Sequence, residues 1–425
     1  FAHSLSRGEG QAPLVILAID PGPDRPEEKP DLFAFTVDGE PVFSASSERY
    51  VTSLTSIPHG EEGGSQLLVG TNEDRLVAFS PDGRKQWVRS LGDGKWNSAV
   101  YDLLIADVDG DGSPEFFADV YELVKGSTLV SLDEEGEERF RVDLPGRSIS
   151  LMEWMETGEG PRLVVAFRSR SGATDLATLD AGTGEDLQEV AGLRAVTGLF
   201  PTQDRRRLFI GTADGRGTYL EGSHSTEHGV VVGSSVLHAV PGKGETLLVT
   251  LAGGAVASVG QPRVEWSLPI DPSGRTLLGG SRFYEEEGRG ILALSGAWAW
   301  DEEDRSSLGF YFVTEDGERL ASLSTSRGPA AFSWIDLDGR GPVEFVAVHF
   351  PEIGSQDCTL AAYDREKEEL VWEAELTVCG TVSLDVGDTK GDERPEVAVT
   401  GFALEHLAFA ALVDAKGSLR WMHRF

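Results

Sequence analysis

One short pattern recurs along nearly the whole chain and limits its fold more than any other feature. An apolar run leads into a polar turn in which Gly follows a Ser, Thr or Asp by three residues, and a bulky apolar residue stands seven after that polar one. The clear copies are LFAFTVDGEPVF (Thr36, Gly39, Phe43), LVAFSPDGRKQW (Ser80, Gly83, Trp87), LVSLDEEGEERF (Asp133, Gly136, Phe140) and ALVDAKGSLRW (Asp414, Gly417, Trp421). LATLDAGTGEDL, FYFVTEDGERLA and LAAYDREKEELVW are looser copies. Each reads as a hairpin whose Gly supplies the positive φ of the turn and whose bulky residue packs between neighbouring sheets.

Two more strand-like runs precede each hairpin, such as VTSLTSIP and SQLLVGTN, which makes four strands per period. The periods fall at about 48–91, 98–144, 148–191, 193–232, 235–270, 274–324, 328–376 and 380–425. Residues 13–46 add three strands, with a weak first strand in Phe1 to Arg7. Sheets this small cannot hide both faces alone, so they must stack face to face around an axis. The predicted fold is all-β: a single β-propeller domain over 1–425 of about eight four-stranded antiparallel blades, with seven or nine compatible. Eight is favoured because propellers typically have four to eight blades, and 193–232 is the period expected to be misread. A β-solenoid would repeat at a shorter period without these hairpins.

Charge narrows the partners. With 71 acidic against 37 basic residues the formal charge is −34, a field that repels phosphate backbones and anionic headgroups, so nucleic acid is excluded. No run of 18 apolar residues provides a transmembrane segment in this stretch. The chain opens on Phe1, which suggests a processed or truncated start. Its two asparagines, Asn72 and Asn97, open no glycosylation sequon. A bacterial exported protein, periplasmic or at the cell surface, is the expectation. Cys358 and Cys379, the only cysteines, flank one hairpin at the same end, where either a disulfide or two buried thiols would fit.

The sharpest local motif is Asp107-Val-Asp109-Gly-Asp111-Gly-Ser113-Pro-Glu115. Carboxylates at alternate positions, on a backbone that Gly lets curl, converge hard oxygens on one point and suit calcium. Two later loops hold the same place in their periods: Asp336-Leu-Asp338-Gly-Arg340-Gly-Pro-Val-Glu344 and Asp388-Thr-Lys390-Gly-Asp392-Glu-Arg-Pro-Glu396. In each a cation replaces a ligand position. Arg340 and Lys390 are expected to neutralise their clusters as salt bridges where an ion would otherwise sit.

These loops resemble the FG-GAP/VCBS repeats of integrin α-subunit propellers and many bacterial exported proteins, and the hairpins are similar to PQQ-like propeller repeats. The resemblance implies calcium in the first loops of some blades and a role in adhesion, assembly or ligand binding. It assigns the calcium role to Asp107, Asp109, Asp111 and Glu115, with Ser113 offering its carbonyl. A quinoprotein dehydrogenase would be expected to carry vicinal cysteines, which are missing, as are Gly-x-Ser-x-Gly and His-Glu-x-x-His.

Trp298 and Trp300 alternate on a strand-like run; they pack in the core, or anchor a partner if that strand is at a sheet edge. The expected function is a non-catalytic exported propeller, a protein-binding module or accessory subunit of a larger extracytoplasmic assembly, carrying structural Ca2+ at one site. Its contact is expected on the long-loop period 274–324. The alternatives are a calcium-dependent, lectin-like glycan binder and a propeller enzyme acting on a polysaccharide or through a quinone-type cofactor.

Overall fold

The computed structural model describes residues 2–5, 14–18, 30–36, 39–47, 49–59, 64–92, 98–169, 174–190, 195–221, 224–225, 230–242, 246–260, 263–270, 276–286, 289–299, 308–325, 327–337, 344–349, 357–378, 381–387, 394–403 and 407–424. Among them there is no helix. The strands form nine antiparallel sheets of the β-propeller type, each built from consecutive strands paired in order of sequence. Blades 1 to 9 span 2–45, 51–90, 98–145, 147–190, 196–231, 236–269, 276–324, 329–378 and 381–424.

The count is therefore nine rather than the favoured eight. The weak first strand is real: Ala2–Leu5 pairs with Leu14–Ala18 and completes blade 1. The period at 193–232 is also real. It reads poorly because its fourth position is split between two two-residue strands, His224–Ser225 and Val230–Val231, both paired with Arg216–Glu221.

Chemistry of the turn explains the repeat. In each clear hairpin the polar residue's N–H bonds the carbonyl four residues on, and the Gly N–H returns to the polar residue's carbonyl, as in Asp133 N–H to Glu137 O (3.0 Å) and Gly136 N–H to Asp133 O (3.0 Å). The side chain completes the turn: Asp414 Oδ1 accepts the N–H groups of Lys416 (2.9 Å) and Ser418 (2.8 Å). That is why Ser, Thr or Asp stands there.

The bulky residue then reaches the next blade. Phe43, Trp87, Phe140, Trp266 and Trp372 lie on Gly83, Gly136, Gly184, Gly317 and Gly417 of the following hairpins. Trp266 and Trp372 also donate Nε1–H to carbonyls of those turns, Glu315 at 3.3 Å and Ala415 at 3.0 Å.

Second and third strands are buried on both faces, as in Gly309–Thr314 and Glu344–His349, whereas fourth strands such as Lys85–Ser90 alternate with solvent. Doubly covered strands are what face-to-face stacking of small sheets requires. By its contacts the chain divides into two compact units, Phe1–Ile210 with Tyr219–Glu227, and Gly211–Thr218 with His228–Phe425. In the first, apolar cores fill the gaps between consecutive blades, for example Phe117 and Leu129 of blade 3 against Leu163 and Phe167 of blade 4. In the second, Phe310 and Phe312 of blade 7 meet Phe332 and Phe345 of blade 8. Each fully buried side chain of this size contributes about 1.5–3 kcal/mol.

That second core also encloses a polar pair. His349 Nε2 accepts the Tyr363 hydroxyl (2.7 Å), and its Nδ1–H points at the Arg327 carbonyl (3.2 Å). Burial above all drives the imidazole pKa down to about 4, so the ring is neutral.

Candidate metal centre

The aspartate loop of blade 3 joins its first strand, Ser98–Ala106, to its second, Glu115–Glu122, with Ala106 opposite Glu115. Carboxylates organise the loop by accepting backbone N–H groups. Asp107 takes Gly110 (2.8 Å) and Gly112 (3.0 Å) on its two oxygens. Asp109 takes Asp111 (3.3 Å), Asp111 takes Ser113 (2.8 Å), and Glu115 reaches back to Val108 (2.9 Å). Gly112 has a φ of 89° and nothing within 4 Å of where a Cβ would stand, so it is backbone conformation rather than space that selects glycine.

Oxygen atoms of Asp107, Asp109 and Glu115 lie within 4.8 Å of one another. The Asp111 carboxylate does not join this group; one of its oxygens serves the Ser113 N–H. Sequence reasoning missed the residue that completes the cluster. Arg139 hydrogen-bonds Glu115 through Nη1 and Asp109 through Nη2, the latter at 3.2 Å.

A β-bulge aims Arg139 there. In the fourth strand, Glu138–Pro145, Phe140 faces Ser131 and Glu138 faces Leu132, which leaves Arg139 as the extra residue. The same bulge recurs next to the bulky residue of other blades, at Gln86 before Trp87 and Arg420 before Trp421. Arg420 turns instead to Asp414 of its own hairpin, 2.9 Å away.

The charges follow from this arrangement. Glu115 is 3% exposed, and burial raises its pKa despite the Val108 N–H and the Arg139 charge, with Asp109 and Asp111 adding to the rise. Burial also pushes Asp109 upward, but the hydrogen bond from Arg139, the Asp111 N–H, the Arg139 charge and a hydrogen bond with Glu115 together outweigh it and leave that pKa below the usual value. The donor set, three carboxylates, fits a hard divalent cation. Arg139 supplies one positive charge against three converging carboxylates.

The later loops share this frame. Ile335 faces Glu344 and Gly387 faces Glu396, matching Ala106 and Glu115. Leu337 N–H bonds Glu344 Oε2 at 3.3 Å, the counterpart of Val108 and Glu115. Asp336 is half-buried beside it, and Glu344 and Glu396 are buried. Asp338 and Arg340 lie outside the described residues, as do Asp388, Lys390 and Asp392, and with them the salt bridges expected there.

Cys358 is buried and disulfide-bonded, and Cys379, the chain's other cysteine, lies outside the described residues. Trp298 belongs to the second strand of blade 7, Arg289–Ala299, which lies between two neighbours rather than at the sheet edge. Its side chain, and the whole of Trp300, lie outside the described residues.

No protein-family model matches this sequence, and no curated protein matches it. Among solved structures, the chain is similar to dihydro-heme d1 dehydrogenase NirN, with 13% identity over 88% of this chain and 76% of that one at a TM-score of 0.55. BamB from Moraxella catarrhalis follows at 14% identity, covering 81% and 90% with a TM-score of 0.47. The Dos1 propeller gives 11%, 80% and 91%, with a TM-score of 0.49. At such identities the likeness to NirN concerns the fold alone.

Proposed function

We propose that this chain is a non-catalytic, exported propeller that binds a protein partner or serves as an accessory subunit of a larger extracytoplasmic assembly, with structural calcium in blade 3. One observation carries the binding role and moves the contact from the period 274–324 to blade 3: a cluster of exposed apolar side chains at the end of blade 3 away from the aspartate loop. Leu123 and Val124, in the turn between the second and third strands, are 67% and 68% exposed. Tyr101 is 58% exposed; it is the extra residue of a bulge in the first strand, and its ring stands 5.9 Å from that of Tyr121. A pocket of 170 Å³ adjoins them, lined in part by Tyr121, Leu123, Arg147 and Arg168. Apolar groups held out in water beside a basic pocket suit a protein surface that covers them.

Catalysis finds less support. Ser281 Oγ lies 2.6 Å from His238 Nδ1, a serine–histidine pair by distance. Yet Ser281 is 2% exposed, and burial together with the Arg282 charge disfavours the imidazolium that a general base must become.

Asp107, Asp109 and Glu115 would hold calcium through side-chain oxygens, Asp111 would have to turn from the Ser113 N–H to join them, and Ser113 would offer its carbonyl, the ion supplying two positive charges that tie the loop together. Replacing Leu123 and Val124 together by Glu tests the binding surface. The variant is expected to keep the wild-type melting temperature and lose the chains that purify with the native protein. Retention of those chains, or turnover by the wild type on a panel of polysaccharides, would overturn the reading.

A further inference from the structure

We propose that Asp102 and Asp119 form a carboxyl pair that makes the contact between blades 3 and 4 sensitive to pH. The two residues face each other directly across the first and second strands of blade 3, so their side chains share one face of the sheet. Asp119 is 2% exposed, and its Oδ1 has no hydrogen-bond partner among the described residues. Asp102 is exposed and accepts the Leu103 N–H at 3.0 Å, so the cost of ionising both falls on Asp119, whose bare oxygen lies out of water.

The connection to blade 4 runs through Ser127. Its hydroxyl hydrogen-bonds the Asp119 carboxyl, and its Oγ accepts the Ile149 N–H at 2.9 Å. Ser127 has one proton to give, so it satisfies one Asp119 oxygen only. Apolar groups surround the chain of contacts: Phe117 and Leu129 from blade 3, Ile149 and Phe167 from blade 4.

Among the described residues no cation pairs with Asp119. The first strand of blade 3 carries Asp102 as its one charged residue, and the third strand, Gly126–Leu132, carries none. The first strand of blade 4, Arg147–Thr157, carries Arg147, Glu153 and Glu156, and its second, Gly160–Ser169, carries Arg162, which pairs with Glu159 and Asp186, and Arg168, which lines the pocket beside Tyr121. Arg147 pairs with Glu189 and lies over the Phe167 ring, and Glu153 pairs with Arg205. The one charge that bears on Asp119 is Asp102. Burial first, and Asp102 second, lift the Asp119 pKa to about 7 from 3.8. The sign follows: the folded chain holds a proton that the unfolded chain has released, so the contribution to stability is complete below pH 3.8 and is lost as pH rises through about 7. Ionisation then leaves a charged oxygen without a donor beside the Ser127 bridge.

Amide hydrogen exchange at Ile149 reads the bridge directly, compared at pH 5 and pH 8 after correction for intrinsic exchange. In the wild type, protection is expected to fall by about tenfold or more. In Asp119→Asn it is expected to stay level. An equal fall in Asp119→Asn, or no fall in the wild type, overturns the proposal. Should Asp119→Asn fail to fold, Asp102→Asn is expected to move the midpoint of the loss to lower pH, and an unmoved midpoint overturns the pairing.

Discussion

At Glu115 a buried carboxylate meets a guanidinium carried in from 24 residues away. The spacing of Asp107, Asp109, Asp111 and Glu115 was enough to find the loop, because alternating carboxylates and glycines are a local signal. Arg139 was not found, because its aim depends on a bulge that exists only once two strands have paired. The Asp102–Asp119 pair was hidden for the same reason: cross-strand register has no trace in a single run of sequence. Another buried group gives a prediction of opposite sign to that pair. His349 is held neutral with a pKa of about 4, against 6.5 in the unfolded chain, so the unfolded state takes up the proton first as pH falls. The second unit should therefore lose roughly 3 kcal/mol between pH 6.5 and 4 through this residue. His349→Gln, followed by urea unfolding across that range, should show a flatter dependence than the wild type, and parallel curves would count against it.

Among the elements, the hairpin was the most legible because its requirements are local. A polar side chain caps the turn, a glycine accepts positive φ, and an aromatic follows at fixed distance. What the pattern did not disclose is the partner of that aromatic, the turn glycine of the next blade. Blade 5 was doubted because its fourth position consists of two fragments, and the first strand of blade 1 because four residues carry little periodicity. The packing predicts a coupled pair. Trp372→Ala should cost about 3 kcal/mol in chemical unfolding. A Cβ on Gly417 would meet the Trp372 ring at 2.7 Å and sit at a φ of +80°, so Gly417→Ala should also destabilise. In the Trp372→Ala background the Gly417→Ala cost should shrink to about 1 kcal/mol, the part due to backbone strain. Strict additivity would mean that the two do not touch.

For the molecule as a whole, a β-propeller of nine four-stranded blades presents a large, strongly acidic surface of formal charge −34. Within that field the aspartate loop is the one cluster among the described residues with three carboxylates able to share an ion. Calcium titration by calorimetry, with melting temperature followed alongside, tests its role most directly. The wild type should bind one calcium ion and melt higher with it, Arg139→Gln should bind more tightly because a competing charge is gone, and Glu115→Gln should lose the effect. Equal melting temperatures with calcium and with chelator in both the wild type and Arg139→Gln would contradict the metal centre and leave Arg139 as the permanent cation of the loop.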